Sequence, residues 1–531
     1  MTATASRYTA GFPATAAEGW SVARATPPSR LAGANGIRTG RDGRIYVAQV
    51  AGSAVSAVDP DTGEVEVVSG MGQGIVGPDD LVFDEAGNLY CTEITQGRVV
   101  RRTPSGEVTV IHGEMPVANP ITCYQDRVIA GELRMDGRII ELDRSGAGNH
   151  RVIYDKCPLV NAFEVGPDGK LYFPAQGANE IWRISLDGGE PEVVAKDLGV
   201  PDSVKFHPDG YIVSTQVYSG QVLKIDPRTG AKEVLADIGA GLDNVTFVGN
   251  RTFVSHITGS IHEITAPGQA RPLIDRGFQW PNGISEDSEG TLLIADGGFS
   301  HLMPHGGQPE VIGNYFVPGY PGWVRDSAST AAGEWVVTTA DGVVSRWRPR
   351  EQASEVLASG YAVPTGIAAG PNGAIVFAEN TTGEIVSISG GATSTLASGL
   401  DAPMGVAIAD DGTVYVAEAG KDRVVKLAGG RTETVLDDLG DPQGLAIRGN
   451  RLYVVDVKAR ALIESDLSGG NRRAIATDLP VGSPTGMPVK LGGVPNFCGP
   501  MWTFTGVATG RDGTIYVSGD AEGSVIAVKP A

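Results

Sequence analysis

One unit of about 40 residues recurs twelve times in this chain of 531 residues and constrains its fold more than any other feature. Each copy has a short turn of the type P-[N/D/T]-G-[I/V/L], a strand, a D-G or N-G turn, a second strand resembling Ile-Tyr-Val-Ala, and two further strands. The key turn residues, one for each copy, are Asn35, Asp79, Asn119, Asn161, Asp202, Asp243, Asn282, Gly322, Thr365, Met404, Gln443 and Thr505. Four short strands at this period are typical of β-propeller blades, because one blade cannot bury its two faces without neighbours.

Twelve blades exceed the usual number for a single ring, so the sequence predicts an all-β fold of two six-bladed β-propellers in tandem. The first would occupy residues 31–277 and the second residues 278–531, after an N-terminal segment of residues 1–30. The last copy has only three strands. Because an open outer edge is a liability, residues 20–25 are predicted to close that blade as its fourth strand. Extra residues rich in Gly and Pro, at 479–503, interrupt the repeat and are expected to form a functional or interface element.

The formal net charge of −20 disfavours nucleic acid as a partner, because its phosphates would be repelled. No apolar run is long enough to span a bilayer, and the first residues lack a signal-peptide pattern. The expectation is therefore a cytoplasmic protein that acts on a small molecule, without a membrane partner and with its oligomeric state open. Cys91, Cys123, Cys157 and Cys498 follow no CxxC spacing, which favours reduced thiols over disulfides or a zinc site.

The first six key residues are all Asn or Asp, and they define the candidate site. In a propeller, the turn before each innermost strand lies at one rim of the central channel, so these side chains would converge there. Asn35, Asp79, Asn119, Asn161, Asp202 and Asp243 would form a ring of oxygen donors with three carboxylates. Such a ring predicts one divalent ion, Ca²⁺, Mg²⁺, Mn²⁺ or Zn²⁺. Turn chemistry is the alternative for any single position, but only one of the six later key positions, Asn282, carries Asn or Asp.

The residues that close the second strands would lie at the same rim, and three of them are candidate acid/base groups. Glu93, Glu132 and His256 stand where other blades of the first ring have amides or Ala. His256 would be a general base or would orient the substrate. The second ring also has acidic residues at this place, at Asp296, Glu379, Glu418 and Asp456, where backbone bonding is the expected role. His301 and His305 form a weak candidate metal pair.

The repeats PDDLVFDEAGNLYCTE, WPNGISEDSEGTLLIADGG and APMGVAIADDGTVYVAE resemble those of the senescence-marker-protein/gluconolactonase superfamily. They also resemble the related NHL-type and virginiamycin B lyase propellers. The gluconolactonase resemblance implies one divalent cation in the channel, held by blade-start residues that match Asn119, Asn161 and Asp202. The family's E-G-P-x-W motif, which supplies a Glu ligand, is absent from this chain.

Three functions follow from these observations and stay open at this point. The first is a metal-dependent hydrolase of a lactone or similar cyclic ester, in which Glu93, Glu132 or His256 would handle the proton. The second is a metal-dependent lyase of the virginiamycin-lyase type, which would need a base and no water. The third is a double propeller that binds a partner without catalysis.

Overall fold

The computed structural model describes residues 11–314, 317–428, 431–482 and 504–531. The strands in these ranges form twelve antiparallel sheets, which confirms the expected all-β fold built from four-stranded repeats. The helical segments in this described part of the chain are four single-turn 3-10 helices, Gln176–Ala178, Pro349–Glu351, Pro371–Gly373 and Ala419–Lys421. None of the described helices is long and apolar enough to cross a membrane.

Sheets 1 to 6 each consist of four consecutive strands. In order from first to fourth strand they are Ile37–Thr39, Ile45–Gln49, Ala54–Val58 and Val65–Ser69 (sheet 1); Pro78–Phe83, Leu89–Glu93, Arg98–Arg102 and Val108–His112 (sheet 2); Ala118–Tyr124, Arg127–Glu132, Gly137–Leu142 and Arg151–Cys157 (sheet 3); Glu164–Val165, Lys170–Ala175, Glu180–Ser185 and Glu192–Ala195 (sheet 4); Lys205–Phe206, Ile212–Thr215, Gln221–Ile225 and Lys232–Asp237 (sheet 5); Leu242–Val248, Arg251–His256, Ile261–Ala266 and Gln269–Ile274 (sheet 6).

Sheets 7 to 10 repeat this arrangement, and sheets 11 and 12 each add a strand from the N-terminal residues to consecutive strands. Their strands are Pro281–Glu286, Thr291–Asp296, Phe299–Pro304 and Glu310–Gly313 (sheet 7); Val324–Ala331, Glu334–Thr339, Val343–Arg348 and Ala353–Ser359 (sheet 8); Pro364–Ala369, Ile375–Glu379, Glu384–Ser389 and Ala392–Ala397 (sheet 9); Pro403–Ile408, Val414–Glu418, Arg423–Ala428 and Arg431–Leu436 (sheet 10); Pro442–Arg448, Arg451–Asp456, Ala461–Asp466, Arg473–Thr477 and Thr15–Ala16 (sheet 11); Val507–Thr509, Ile515–Gly519, Ser524–Pro530 and Trp20–Arg24 (sheet 12).

The chain divides into two compact units. Among the described residues, unit 1 comprises residues 30–277 with sheets 1 to 6, and unit 2 comprises residues 11–29, 278–482 and 504–531 with sheets 7 to 12. In unit 2 the first strand of each sheet packs beside the first strand of the next, and that of sheet 12 beside that of sheet 7. In unit 1 the first strand of sheet 6 likewise packs beside that of sheet 1.

Neighbouring sheets share an apolar core between their faces. In the second strand of sheet 9, Val376 and Ala378 are buried in the cluster shared with sheet 10, which includes Val416. Ile375 and Phe377 of the same strand belong instead to the cluster shared with sheet 8. Alternate residues of one strand therefore pack against different neighbours, as the alternation of side chains in a β-strand requires.

A hydroxyl on the second strand of one sheet donates a hydrogen bond to the key residue's carbonyl oxygen in the next sheet. The pairs are Thr92 with Asn119, Thr215 with Asp243, Ser255 with Asn35, Thr338 with Thr365, and Ser518 with Asn282. Ser255 lies in sheet 6 and Asn35 precedes sheet 1, while Ser518 lies in sheet 12 and Asn282 in sheet 7. The last sheet of each unit is thus bonded to the first sheet of the same unit.

The residue after the key position supplies a second link between sheets. Asp80 accepts a hydrogen bond from the Ile121 backbone N–H at 3.1 Å, and Asp326 accepts one from the Ile367 N–H at 3.0 Å. Both carboxylates are buried, and burial raises the pKa of Asp326 to about 7. The same link in both units identifies these two aspartates as structural.

The fourth strand of sheet 12 comes from the other end of the chain. Trp20–Arg24 pairs antiparallel with Ser524–Pro530, with Val22 opposite Val528. Arg24 adds a bidentate ion pair with the buried Glu522, with N–O distances of 2.8 and 2.7 Å. Unit 2 is therefore closed by strands distant in sequence, whereas every sheet of unit 1 is continuous in sequence.

The predicted key residue of sheet 8 is wrong by three positions. In sheet 7 the first strand begins with the pair Pro281–Asp296, and the key residue Asn282 follows directly. In sheet 8 it begins with the pair Val324–Thr339, so the key residue is Arg325 and not Gly322. Arg325 and the following aspartate also lie against Gly283 of sheet 7, as Asp79 and Asp80 lie against Gly36. The letters P-G-W at 321–323 imitate the turn motif just before the true turn.

Most of the predicted insertion at 479–503 lies outside the described residues, as does Cys498. Cys91 and Cys157 are buried and Cys123 is half-buried, and all three carry free thiols. Burial raises the pKa of the Cys91 and Cys123 thiols.

Candidate functional site

Five of the six key residues of unit 1 are buried and Asp243 is half-buried, and all six lie at or just before the first strand of their sheets. Their backbones are fixed by the fold: the Gly36 N–H donates to the Asp79 carbonyl at 2.7 Å, and the Asp202 N–H donates to the Thr215 carbonyl at 2.8 Å. Two of the side chains also bond the local backbone: Asn35 Oδ1 accepts from the Val50 N–H at 3.2 Å, and Asn161 Oδ1 accepts from the Ala162 N–H at 2.8 Å. The carboxylates make contacts with other side chains or are open to a ligand.

Four of the six side chains make contacts within the ring. The Asn161 amide donates to Asp202 Oδ1 at 2.8 Å, and the Gln176 amide donates to the same oxygen at 2.8 Å. Across sheets 1 and 6, the Asn35 amide donates to Asp243 Oδ2 at 3.2 Å. Because these residues come from different sheets, each pair links two strands at the level of the ring.

The other two ring residues, Asp79 and Asn119, are buried as deeply but make no side-chain hydrogen bond with another residue of the described ranges. Asp79 is 4% exposed and Asn119 is 5% exposed. The polar atoms of these two side chains are not fully enclosed, so solvent or a ligand can reach them.

The three ring carboxylates repel one another in a buried environment. Burial raises the pKa of Asp79 well above its ordinary value, and the charges of Asp243 and Asp80 raise it further. Burial, Asp243 and Asp79 have the same effect on Asp202. Burial, followed by the charge of Asp80, raises the pKa of Asp243 to about 8. The ring is thus an acceptor for protons or for a cation.

Charged side chains three positions after the key residues form a second level in unit 1. Lys205 is buried, donates to the Phe163 carbonyl at 3.0 Å, and has its pKa lowered to about 8 by burial and by Arg38. Arg38 reaches the carbonyl of Ile121 at 3.1 Å and lies 3.9 Å from a Glu164 carboxylate oxygen. These two charged residues were not identified from the sequence. Their position in the first strand of a sheet, where several other sheets have apolar residues, was the feature that could have revealed them.

The donor set of the ring fits a hard divalent cation. Carboxylate and amide oxygens are the ligands that such ions take in proteins. Within the described ranges, no three His, Cys, Asp or Glu side chains lie close enough together to hold a metal ion by themselves. An ion at this ring would therefore need amide oxygens as well as carboxylates, and Asn161 beside Asp202 offers that combination.

Glu93 and Glu132 are buried, but other groups of the protein occupy their carboxylates. Glu93 accepts a hydrogen bond from the Val76 N–H at 2.9 Å and forms an ion pair with Arg98. Glu132 accepts a hydrogen bond from the backbone N–H of Arg138 at 3.2 Å and forms an ion pair with the Arg138 guanidinium at 2.5 Å. These bonds hold loops and strands together, and the predicted acid/base role of both residues stays a prediction.

The same backbone bond recurs in both units at the end of the second strand. Asp296 accepts from the Trp280 N–H at 2.7 Å, Glu379 from the Val363 N–H at 2.6 Å and Glu418 from the Asp401 N–H at 2.9 Å. Gln49 and Gln216 of unit 1 accept equivalent bonds from Ala32 and Gly199. A structural function thus accounts for the acidic residues at this position in unit 2, and Glu93 shares it.

Both ring nitrogens of His256 already have partners. Nε2 lies 2.8 Å from the Ala240 carbonyl oxygen, and Nδ1 lies 2.8 Å from the Thr258 hydroxyl. Burial lowers the pKa of His256 to about 4, so the imidazole is neutral at physiological pH. Its predicted role as a base stays a prediction. His301 is buried and bonds Asp296 at 3.1 Å, while His305 is exposed.

The key positions of unit 2 have a different chemistry. They are Asn282, Arg325, Thr365, Met404, Gln443 and Thr505, and all six are buried. Thr365 donates to the Met404 carbonyl at 3.1 Å, Gln443 donates to Asp441 at 2.9 Å, and the Thr505 hydroxyl donates to an aspartate at 3.1 Å. These three side chains bond within the fold, whereas Asn282 Oδ1 is buried without a hydrogen-bond partner among the described residues, and no carboxylate stands at any key position.

No protein-family model matches the chain. The chain is 29% identical over 204 residues to a gluconolactonase of Zymomonas mobilis subsp. mobilis. This match covers 32% of the chain and 57% of the gluconolactonase. Among solved structures, a streptogramin B lyase is 17% identical with a TM-score of 0.38, and the match covers 52% of this chain and 95% of the lyase chain. Virginiamycin B lyase from Staphylococcus aureus is 16% identical with a TM-score of 0.39, and that match covers 52% of this chain and 96% of the lyase chain. The resemblance to lactonase-like propellers is confirmed as a similarity to a gluconolactonase over part of the chain.

Proposed function

We propose that each unit is a six-bladed β-propeller and that unit 1 hydrolyses a lactone or similar cyclic ester, using one divalent metal ion at the ring of key residues. The observation that carries this proposal is the convergence of Asp79, Asp202 and Asp243, where burial and then the neighbouring carboxylates raise the pKa values of Asp79 and Asp202. A divalent cation relieves such repulsion. The similarity to a gluconolactonase over part of the chain supports a lactone as the substrate.

Asn161 and Asp202 would hold the ion together with Asp79 or Asp243. When bound, a divalent ion polarises a carbonyl group and lowers the pKa of water. The chain's own contribution is positioning: the Gln176 amide holds Asp202 and the Asn35 amide holds Asp243. A ring carboxylate that does not bind the ion can accept a proton from the attacking water. Burial of the ring limits the access of further water.

The first test is the metal content of the purified protein, measured by elemental analysis on the wild type and on Asp202→Asn. We expect one divalent ion per chain in the wild type and its loss in the variant. Gln443→Asn, at the matching position of unit 2, is the control and should keep the ion. If no ion is found after incubation with Ca²⁺, Mg²⁺, Mn²⁺ and Zn²⁺, the metal-dependent hydrolase is excluded and a binding scaffold is the better account.

The second test separates hydrolysis from elimination. The protein is incubated with lactones and with cyclic depsipeptide esters, and the masses of the products are measured by mass spectrometry. Hydrolysis adds the mass of one water and elimination adds none. A product without added water would replace the hydrolase by the lyase while leaving the metal site in place.

A further inference from the structure

The backbone two positions before each key residue of unit 1 is left-handed. The φ angles are 86° at Gly33, 54° at Gly77, 56° at Val117, 60° at Leu159, 62° at Val200 and 108° at Gly241. Sheets 1, 2 and 6 use glycine at this position, as the conformation favours. Sheets 3, 4 and 5, which are neighbours, use Val, Leu and Val.

Bulky residues in the left-handed region are strained, and β-branched ones such as Val117 and Val200 are strained most. Glycine fits this conformation in half of unit 1, so the fold does not require a side chain there. Val117, Leu159 and Val200 are each partly exposed, and Val117 also packs against the buried pair Val50 and Ile94. Strain kept in three adjacent sheets, for side chains that reach the surface, points to a use for those side chains.

The three residues stand directly beside the ring. They precede Asn119, Asn161 and Asp202 by two positions, on the half of unit 1 that contains the Asn161–Asp202 contact. Their loops are bonded in series across sheets 3, 4 and 5: the Leu159 N–H donates to the Arg134 carbonyl at 3.1 Å, and the Val200 N–H donates to Asn179 Oδ1 at 2.9 Å. The surface is therefore continuous with the candidate site.

Two exposed apolar side chains extend this surface. Met135 is 61% exposed and Tyr218 is 60% exposed, and both lie in loops that follow a second strand of unit 1. A Cβ atom at Gly177, next to Gln176, would lie 3.4 Å from the Met135 sulfur. The other large exposed apolar residues of the described ranges, such as Val193 and Val356, lie on fourth strands instead. We name Val117, Met135, Leu159, Val200 and Tyr218 the apolar crescent.

We propose that the apolar crescent binds an alkyl or aryl substituent on the substrate ring, so that the substrate is an apolar lactone and not a polyhydroxylated one. This inference rests on the proposed function. The crescent lies on one side of the ring only, which fits a substrate with one apolar arm whose carbonyl lies at the ring. Burying several methylene groups against such a surface gives roughly a tenfold preference or more.

The test compares three δ-lactones: the unsubstituted ring, the ring with a pentyl chain, and glucono-δ-lactone. We expect the wild type to have a kcat/KM for the pentyl lactone at least about tenfold above the other two. In the double variant Leu159→Gly/Val200→Gly this preference should fall to about twofold, mainly through KM. The control is Ala402→Gly, which changes the equivalent left-handed position of unit 2 (φ 45°) and should leave the preference intact.

The Tm of the double variant distinguishes a role in substrate binding from a structural role of the crescent. Glycine relieves the left-handed strain, so the Tm of the double variant should be unchanged or raised by about 1–3 °C while the preference is lost. A fall in Tm together with equal loss of activity on all three lactones would show that the crescent is structural and would overturn the proposal.

A cyclic ether with the same pentyl chain separates this inference from the proposed function, because it binds but cannot be hydrolysed. Its binding, measured by calorimetry, should weaken about tenfold in the double variant. If no lactone is hydrolysed but the ether binds and is weakened, the hydrolase fails and the crescent stands. If lactones are hydrolysed with glucono-δ-lactone preferred, and the ether does not bind, the crescent fails and the hydrolase stands.

Discussion

Units 1 and 2 share one set of backbone links and differ in the side chains at the key positions. In both units a hydroxyl of one sheet bonds the key carbonyl of the next, and an aspartate, Asp80 or Asp326, bonds a backbone N–H of the neighbouring sheet. Unit 2 makes these links with Arg, Thr, Met and Gln among its key residues. An Asn or Asp at the key position is therefore not a requirement of the turn, and the six in unit 1 need another explanation.

The two units also close differently. Unit 1 joins sheets 6 and 1 only through contacts between sheets, such as Ser255 with Asn35. Unit 2 has a similar contact, Ser518 with Asn282, and in addition takes N-terminal strands into sheets 11 and 12. Unit 1 therefore depends on side-chain and core contacts where unit 2 has a backbone ladder.

The largest effect is expected from deleting residues 1–25, which removes Trp20–Arg24 from sheet 12. The deletion exposes the face that Trp20 and Val22 cover and leaves the buried Glu522 without Arg24. We expect the free energy of unfolding of unit 2 to fall by about 3–5 kcal/mol, because an unpaired buried charge is costly. Hydrogen exchange with mass spectrometry, read separately on peptides of each unit, measures it.

Deletion of residues 1–10 alone is the control for this truncation and should leave exchange in sheet 12 unchanged. Equal loss of protection in sheets 1 to 6 and in sheets 7 to 12 would contradict the assignment of the strand to the stability of unit 2.

Asp80→Ala and Asp326→Ala test the link that the units share. Each leaves a buried N–H, of Ile121 or Ile367, without its acceptor, which costs about 2–3 kcal/mol of unfolding free energy. The two variants should be alike in urea denaturation, and Asp→Asn at either site should restore most of the loss. A large loss in Asp80→Ala alone would mean that Asp80 belongs to the ring of unit 1 as well as to the link.

The fold was predictable from the sequence because its signals repeat. Twelve copies of a four-strand pattern average out local errors, and the all-β repeat follows from period and turn residues. The error at Gly322 arose where a copy departs from the pattern: P-G-W imitates the turn, and only the pairing of Val324 with Thr339 reveals Arg325 at the key position.

The chemistry was less predictable, because it depends on where side chains point. The convergence of Asn161 and Asp202 follows from the repeat, and the structure brings them to 2.8 Å. Glu93 and His256 have the residue types of catalytic groups, yet their partners, Arg98 and the Ala240 carbonyl, are set by the local loops. The left-handed backbone at Leu159 could not be predicted from the sequence, because glycine and asparagine, and not leucine, are the residues that indicate this conformation.

The pH dependence of stability should differ between metal-free and metal-loaded protein. Because the pKa of Asp243 is raised to about 8 in the folded state, the folded protein holds a proton that the unfolded chain has released. That contribution falls as pH rises towards and through 8, by about 1 kcal/mol between pH 7 and 8.5 in the metal-free protein. Lys205, with its pKa lowered to about 8, opposes this loss, so the contribution is read as the difference between the wild type and Asp243→Asn. His256, with its pKa lowered to about 4, is neutral throughout this range.

Urea denaturation in the presence of a chelator, at several pH values, measures this slope. Asp243→Asn should remove the Asp243 contribution to it, and a saturating divalent ion should do the same, because a bound cation replaces the proton. A slope unchanged in Asp243→Asn would assign the titration to another group, the raised carboxyls of Asp79 and Asp202 included.

The smallest effect is expected from Glu93→Gln, with Glu418→Gln as its counterpart in unit 2. Each glutamate accepts one backbone N–H and pairs with an arginine five residues later, Arg98 or Arg423, and Glu418 pairs in addition with Lys421. Glutamine keeps the acceptor and loses these charge pairs, whose cations are partly exposed, so each variant should lose only about 0.5–1 kcal/mol, with the larger loss in Glu418→Gln. Losses in this range with lactone turnover retained in both would assign Glu93 to the structure that the two units share. If turnover falls at least about tenfold in Glu93→Gln alone, while neither variant loses more stability than this, Glu93 acts on the substrate and the two units differ at the second-strand ends as well as at the key positions.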